Sequence, residues 1–144
     1  MDDTDKNLKA LKRIHGRLET TKNEDLEDLI HKLLPKLLSY ADNETISIRD
    51  EAVSIVMYGL NRSKSLHLSL PCTSLIDLLG WDIKPFACNL NLACLDAGIL
   101  LIKTKEDRIA CCRSIFKAIY RLNNNENNDD NNNSLQKRQY NALC

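Results

Sequence analysis

Six cysteines and three histidines are the residues of this 144-residue chain with the widest chemical reach. A cysteine beside an imidazole can be an activated nucleophile, several thiols can hold a metal, and two can close a disulfide. The spacing points to none of these. Cys72, Cys88, Cys94, Cys111, Cys112 and Cys144 include no CxxC pair. Cys111 and Cys112 are adjacent, so on a helix they point to different sides and do not share a metal. His31 falls on or near an apolar helical face one turn before Pro35, and His67 falls in a polar stretch. Neither has a cysteine at a local spacing that makes a nucleophile–base pair, and His15 completes no motif. The chain holds no glycine-rich phosphate loop, no HExxH and no GxSxG. Glu24, Asp25, Glu27 and Asp28 could in principle pair for acid–base work or bind a cation. They crowd the first turns of a helix, where carboxylates favour the positive end of the dipole and face solvent. The sequence therefore predicts no catalytic, metal-binding or cofactor-binding residue, and reduced, buried thiols.

What would position such residues is a set of helices. Leu26, Leu29, Ile30, Leu33, Leu34, Leu37 and Leu38 recur at helical spacing and predict one apolar stripe. Pro35 lies inside it, removing a backbone donor and pressing on the carbonyl of His31, so a kink is expected. Ile48, Ala52, Ile55, Val56 and Leu60 predict a second helix, antiparallel to the first across the turn Tyr40–Thr45. Two such helices in about 40 residues match the unit length and layout of a HEAT-type repeat, which needs neighbours stacked on it. Before them, Leu8, Leu11, Ile14 and Leu18 predict a helix over residues 5–18, with Lys6, Lys9, Lys12, Arg13 and Arg17 as its solvated sides. Thr21-Lys22-Asn23-Glu24 has the form of a capping box for the leucine helix, and Ser47 with Asp50 that of a cap for the next. Gly59, inside that helix, points to close approach by a neighbour.

Residues 61–69 read as a polar connector leading to Leu70-Pro71. A short helix follows, anchored by Leu75, Leu78 and Leu79 and stopped at Gly80, with Trp81 as a wedge. Pro85 opens another helix, entered through Asp82 or Lys84, with Phe86, Leu90, Ala93, Cys94 and Ala97 as its buried stripe and Gly98 as its end. Thr104 reads as an N-cap for a last helix with Ile109, Cys112, Phe116, Ile119 and Tyr120 on its buried face and Ile115 beside it. Residues 123–133, NNNENNDDNNN, have nothing apolar to bury and predict disorder. Residues 134–144 predict a weakly helical tail. The expected architecture is all-α: a HEAT-like helical repeat domain over residues 5–122, built of antiparallel pairs stacked as a fragment of an α-solenoid.

Bulk composition agrees with a globular helical chain, with 43% apolar and 28% charged residues and only 5% aromatic. Lys plus Arg equals Asp plus Glu at 20 each, so net charge offers no case for nucleic acid or a membrane surface. No apolar run approaches the roughly 18 residues that span a bilayer. The acidic start MDDTDKNLK lacks the basic-then-apolar order of a signal peptide, which predicts a cytoplasmic and nuclear location.

Within the paired helices Leu34-Pro35, Asp42, Ile48-Arg49 and Ala52 resemble the HEAT-repeat pattern. That resemblance implies structural roles for Pro35, which bends the first helix, and for Asp42 and Arg49, which bond between successive repeats. From Leu11 to Ile99 the order of features is similar to the N-terminal region of the large HEAT-repeat proteasome adaptor and scaffold family, the extracellular-mutant-twenty-nine family. The short first helix, Leu33-Leu34-Pro35, the arginine-bearing helix, Asn61-Arg62-Ser63-Lys64-Ser65, Leu75-Ile76-Asp77-Leu78-Leu79 and Pro85-Phe86 through Gly98 carry it. Members of that family are many times longer, so the resemblance makes this chain an N-terminal fragment, a truncated gene product or a sequence with a misjudged end. It implies a non-catalytic adaptor that binds proteasome core and regulatory particle subunits and supports their assembly or stability. With the even charge, the short apolar runs and the missing motifs, no nucleic acid, no membrane insertion, no small-molecule substrate and no cofactor are expected. The alternative expectation is a helical-repeat scaffold of another complex, such as one in transport or coat assembly.

Overall fold

The computed structural model describes residues 2–79 and 84–126, and among them every regular element is a helix. There are six: α1 (Asp3–Thr20), α2 (Asn23–Ala41), α3 (Ile46–Leu66), α4 (Cys72–Leu79), α5 (Pro85–Leu101) and α6 (Lys105–Glu126). The expected all-α class holds. The helices group into two compact units, the first ending at Pro71 and the second starting at Cys72.

The core of the first unit is the leucine stripe. All seven expected residues of α2 are buried, joined by Ala41, and Pro35 sits inside the helix, half-buried. They face Ile48, Ala52, Ile55, Val56 and Leu60 of α3, on which α2 packs most extensively. With only residues 42–45 between them, the two helices must run antiparallel. Leu11, Ile14 and Leu18 of α1 are buried too, and α1 lies chiefly along α3, less along α2.

The caps differ from expectation. Thr21 closes α1 rather than opening a capping box: its N–H and its hydroxyl both donate to the Arg17 carbonyl. The N-cap of α2 is Lys22, with no side-chain cap. α3 begins at Ile46, before Ser47, because the Asn43 Oδ1 accepts the Thr45 N–H at 2.9 Å and turns the chain early. α3 also runs on through most of the stretch read as a polar connector, to Leu66. Its buried face continues through Gly59 and Ser63, two positions with no apolar side chain to signal it. A Cβ at Gly59 would meet nothing within 4 Å, so no close helix approach explains that glycine. The helix ends with His67 in the left-handed conformation at φ 53°, its N–H donating to the Lys64 carbonyl while Leu68 N–H donates to Ser63. This is a Schellman closure with histidine where glycine is usual.

In the second unit the short α4 packs on both α5 and α6, which touch each other less. Leu75 and Leu79 of α4 are buried and Leu78 is half-buried. Lys84 is the N-cap of α5 and Pro85 its first residue, as expected. Its buried face is turned from the expected one: Ala87, Cys88, Asn91, Leu92, Cys94, Leu95, Ala97 and Gly98 are inside, whereas Phe86 and Ala93 are exposed and Leu90 is half-buried. Asn91, fully buried, makes this possible by donating from Nδ2 to the Leu75 carbonyl at 2.9 Å. Gly98 does not end the helix, which continues to Leu101.

Thr104 caps α6 as expected, its Oγ1 accepting the Asp107 N–H at 3.2 Å. The buried line of that helix is Ile115 and Ile119, while Ile109, Phe116 and Tyr120 are exposed. A helix resting mainly on an eight-residue partner has only a narrow strip to bury. α6 extends to Glu126, so the first residues of the asparagine run are helical rather than disordered. The remainder of that run, the 134–144 tail with Cys144, and the expected roles of Gly80, Trp81 and Asp82 lie outside the described residues.

Candidate functional site

The three residues that the HEAT resemblance singles out all lie in the α2–α3 pair. Pro35 is within α2, Asp42 is its C-cap at φ −82° and ψ 0°, and Arg49 is in the first turn of α3; all three are half-buried. The Arg49 N–H donates to the Thr45 carbonyl at 3.1 Å, fixing the start of that turn.

Two polar clusters in the first unit were not legible in the spacing. In one, the Ser69 hydroxyl donates to Glu27 Oε1 at 2.8 Å and the Ser69 N–H to Glu27 Oε2 at 3.3 Å. His31 Nε2 lies 3.1 Å from the Ser69 carbonyl and 3.0 Å from its Oγ. A carbonyl oxygen can only accept, so Nε2 carries the proton and donates to both atoms. Serine, histidine and glutamate thus meet, but wired against nucleophilic use: a general base must receive the serine proton, and here the imidazole gives one. Glu27 and His31 are one turn apart on α2, so the cluster pins the segment after α3 to that helix.

In the other cluster, His15 of α1 sits between Glu19, 3.3 Å from Nε2, and Glu51 of α3, 3.8 Å from Nδ1. Its ring tilts against Tyr58 with centroids 5.4 Å apart. Arg62 donates to the Tyr58 hydroxyl at 3.1 Å and to Asn23 Oδ1 at 2.8 Å, reaching from α3 to the first residue of α2. These contacts link all three helices of the unit through polar groups at the rim of the core.

The thiols divide by depth. Cys88 and Cys94 are buried, and burial pushes the Cys94 pKa up to about 12. Cys72 is half-buried and is also pushed up to about 12, by burial and by Cys111 beside it. Cys111 and Cys112 are half-buried on α6. Among the described residues no group of three or more His, Cys, Asp or Glu is arranged to hold a metal ion. No helix among them is long and apolar enough to cross a membrane. Asp5, Leu8, Lys9 and Lys12 of α1 line an open surface hollow of about 270 Å³, with no buried wall of convergent polar groups. Compared with protein-family models, with curated proteins and with solved structures, the chain matches none.

Proposed function

We propose that the chain is a non-catalytic adaptor that binds the proteasome and supports its assembly or stability, in the cytoplasm and nucleus, as the N-terminal part of a longer helical-repeat protein. One observation carries this reading: the α2–α3 pair, with Pro35 inside its first helix, Asp42 closing that helix and Arg49 in the first turn of the second. The partner itself comes from the resemblance to the proteasome adaptor family. Two neighbours stacking on α2–α3 is what a solenoid requires, and α1 lying chiefly along α3 suits the place of the second helix of a preceding unit. A surface of helix faces, rather than a pocket, is the working part on this reading. The test is affinity capture of the segment carried within its full-length parent, followed by identification of bound subunits. Core and regulatory particle subunits should be recovered together. Recovery of neither overturns the proposal, and recovery of coat or transport proteins instead selects the other scaffold reading.

A further inference from the structure

On α6 the side chains of Ile109, Phe116 and Tyr120 are 42%, 59% and 66% exposed. They stand at i, i+7 and i+11, so they form one line along the helix, about 16 Å long at roughly 1.5 Å per residue. Arg113, Lys117 and Arg121 are exposed as well and follow one another at i, i+4 and i+8, beside that line. From Arg108 to Arg121 the sequence holds no carboxylate. Among the described residues none of these three cations has an ion pair. The buried line of the helix, Ile115 and Ile119, lies on another side. We propose that the exposed face is a docking surface for an acidic amphipathic helix of a partner protein. The partner's apolar stripe would cover Ile109, Phe116 and Tyr120, and its carboxylates would meet Arg113, Lys117 and Arg121.

Single exposed apolar side chains are ordinary, but three in one line beside a row of like charges mark a binding surface. Helices recognise helices through anchors at this spacing, and charges along the edge of the contact choose the partner. Charge therefore selects among the occupants. A second α6 laid on the first would bring two rows of cations together. Residues 134–144 hold Lys137 and Arg138 and no carboxylate, so the chain's own tail does not complement the face either. A bilayer fits poorly, because three apolar side chains bury little area and Arg113, close to their line, would be carried into the acyl layer with them. A nucleic acid would use the cations but leave Ile109 uncovered, and the balanced charge of the chain gives it no attraction at a distance. An acidic helix satisfies both the apolar line and the cations. The inference rests on the scaffold reading in taking helix faces as the working surface.

The experiment titrates the intact chain with a fluorescent helical peptide of about 18 residues, long enough to cover the face, with leucines in one stripe and glutamates along its edge. Saturable binding is expected, weakening as salt rises, with amide NMR shifts centred on residues 109–121. Phe116→Ala and Tyr120→Ala should each weaken it about tenfold. Arg113→Glu combined with Lys117→Glu should weaken it about tenfold or more and abolish the salt dependence. A peptide of the same composition with its stripe scrambled should bind about tenfold more weakly or not at all. No binding, equal binding of the scrambled peptide, or shifts centred on another helix overturns the proposal. So does displacement of the peptide by a synthetic copy of residues 134–144, or a dimer of the chain that Phe116→Ala dissociates. Tighter binding of a single-stranded oligonucleotide, or of vesicles containing phosphatidylserine, overturns it as well. The shifts in the unaltered chain decide the matter even where a variant fails to fold. Peptide binding without capture of proteasome subunits removes the partner proposed above and leaves this face; capture without peptide binding removes the face alone.

Discussion

His67 closes α3 in a left-handed conformation that side chains other than glycine adopt at a cost. Its ring is exposed, so His67→Gly should raise stability by about 0.5–1 kcal/mol in urea unfolding. Gly59 is the reverse case. It is buried inside α3, with room for a methyl group, so Gly59→Ala should stabilise by about 1 kcal/mol. A destabilised Gly59→Ala protein would mean that the helix faces are closer than described. Ser69→Ala removes the hydroxyl bonded to Glu27 and His31 and should cost about 1–2 kcal/mol. Cys94 gives the second unit a pH dependence. Its folded pKa is raised to about 12 from 9.0, so the folded state holds the proton more tightly than the unfolded chain. That contribution is complete below pH 9 and is lost as pH rises towards 12. Urea titrations at successive pH values should show stability falling over that window by up to about 1.4 kcal/mol per pH unit, and less steeply in Cys94→Ser.

The helices differ in how plainly their sequences announce them. In α2 all seven stripe positions are leucine or isoleucine, so period and burial coincide and the face could be read directly. In α5 nearly every position is apolar or small, so several stripes fit equally well. The buried one runs through Asn91, a residue whose type argues for solvent until its partner, the Leu75 carbonyl, is known. That bond joins residues 16 apart, and periodicity carries no information at that range. α6 misleads differently, because its strongest apolar positions, Phe116 and Tyr120, are 59% and 66% exposed. Periodicity finds a face that could be buried but not whether a neighbour is long enough to bury it. The Glu27–Ser69–His31 and His15–Glu51 clusters were hidden because each joins residues far apart in the sequence, α2 to the segment after α3 in the first and α1 to α3 in the second. At this scale Pro35→Ala should change stability little, because the helix already accommodates the missing N–H, while straightening α2 and altering what stacks on it. Paramagnetic distance measurements between spin labels at the ends of α2 should show the helix lengthening, and an unchanged distance would remove the proline from its bending role.

Taken whole, the chain folds as two compact units whose boundary falls between Pro71 and Cys72. The leucine stripe, α3 and the apolar face of α1 give the first unit a core of its own. Residues 1–71 produced alone should therefore keep a helical far-UV spectrum and melt cooperatively; a gradual melt would mean that this core depends on the rest. The route by which the chain leaves that unit has a mechanical consequence. Ser69, two residues before the boundary, is held to Glu27 and His31 of α2 rather than to α3, in which it is preceded by sequence. Tension drawn through Pro71 is therefore delivered sideways into the middle of α2, and the end of α3 is shielded from fraying until that knot slips.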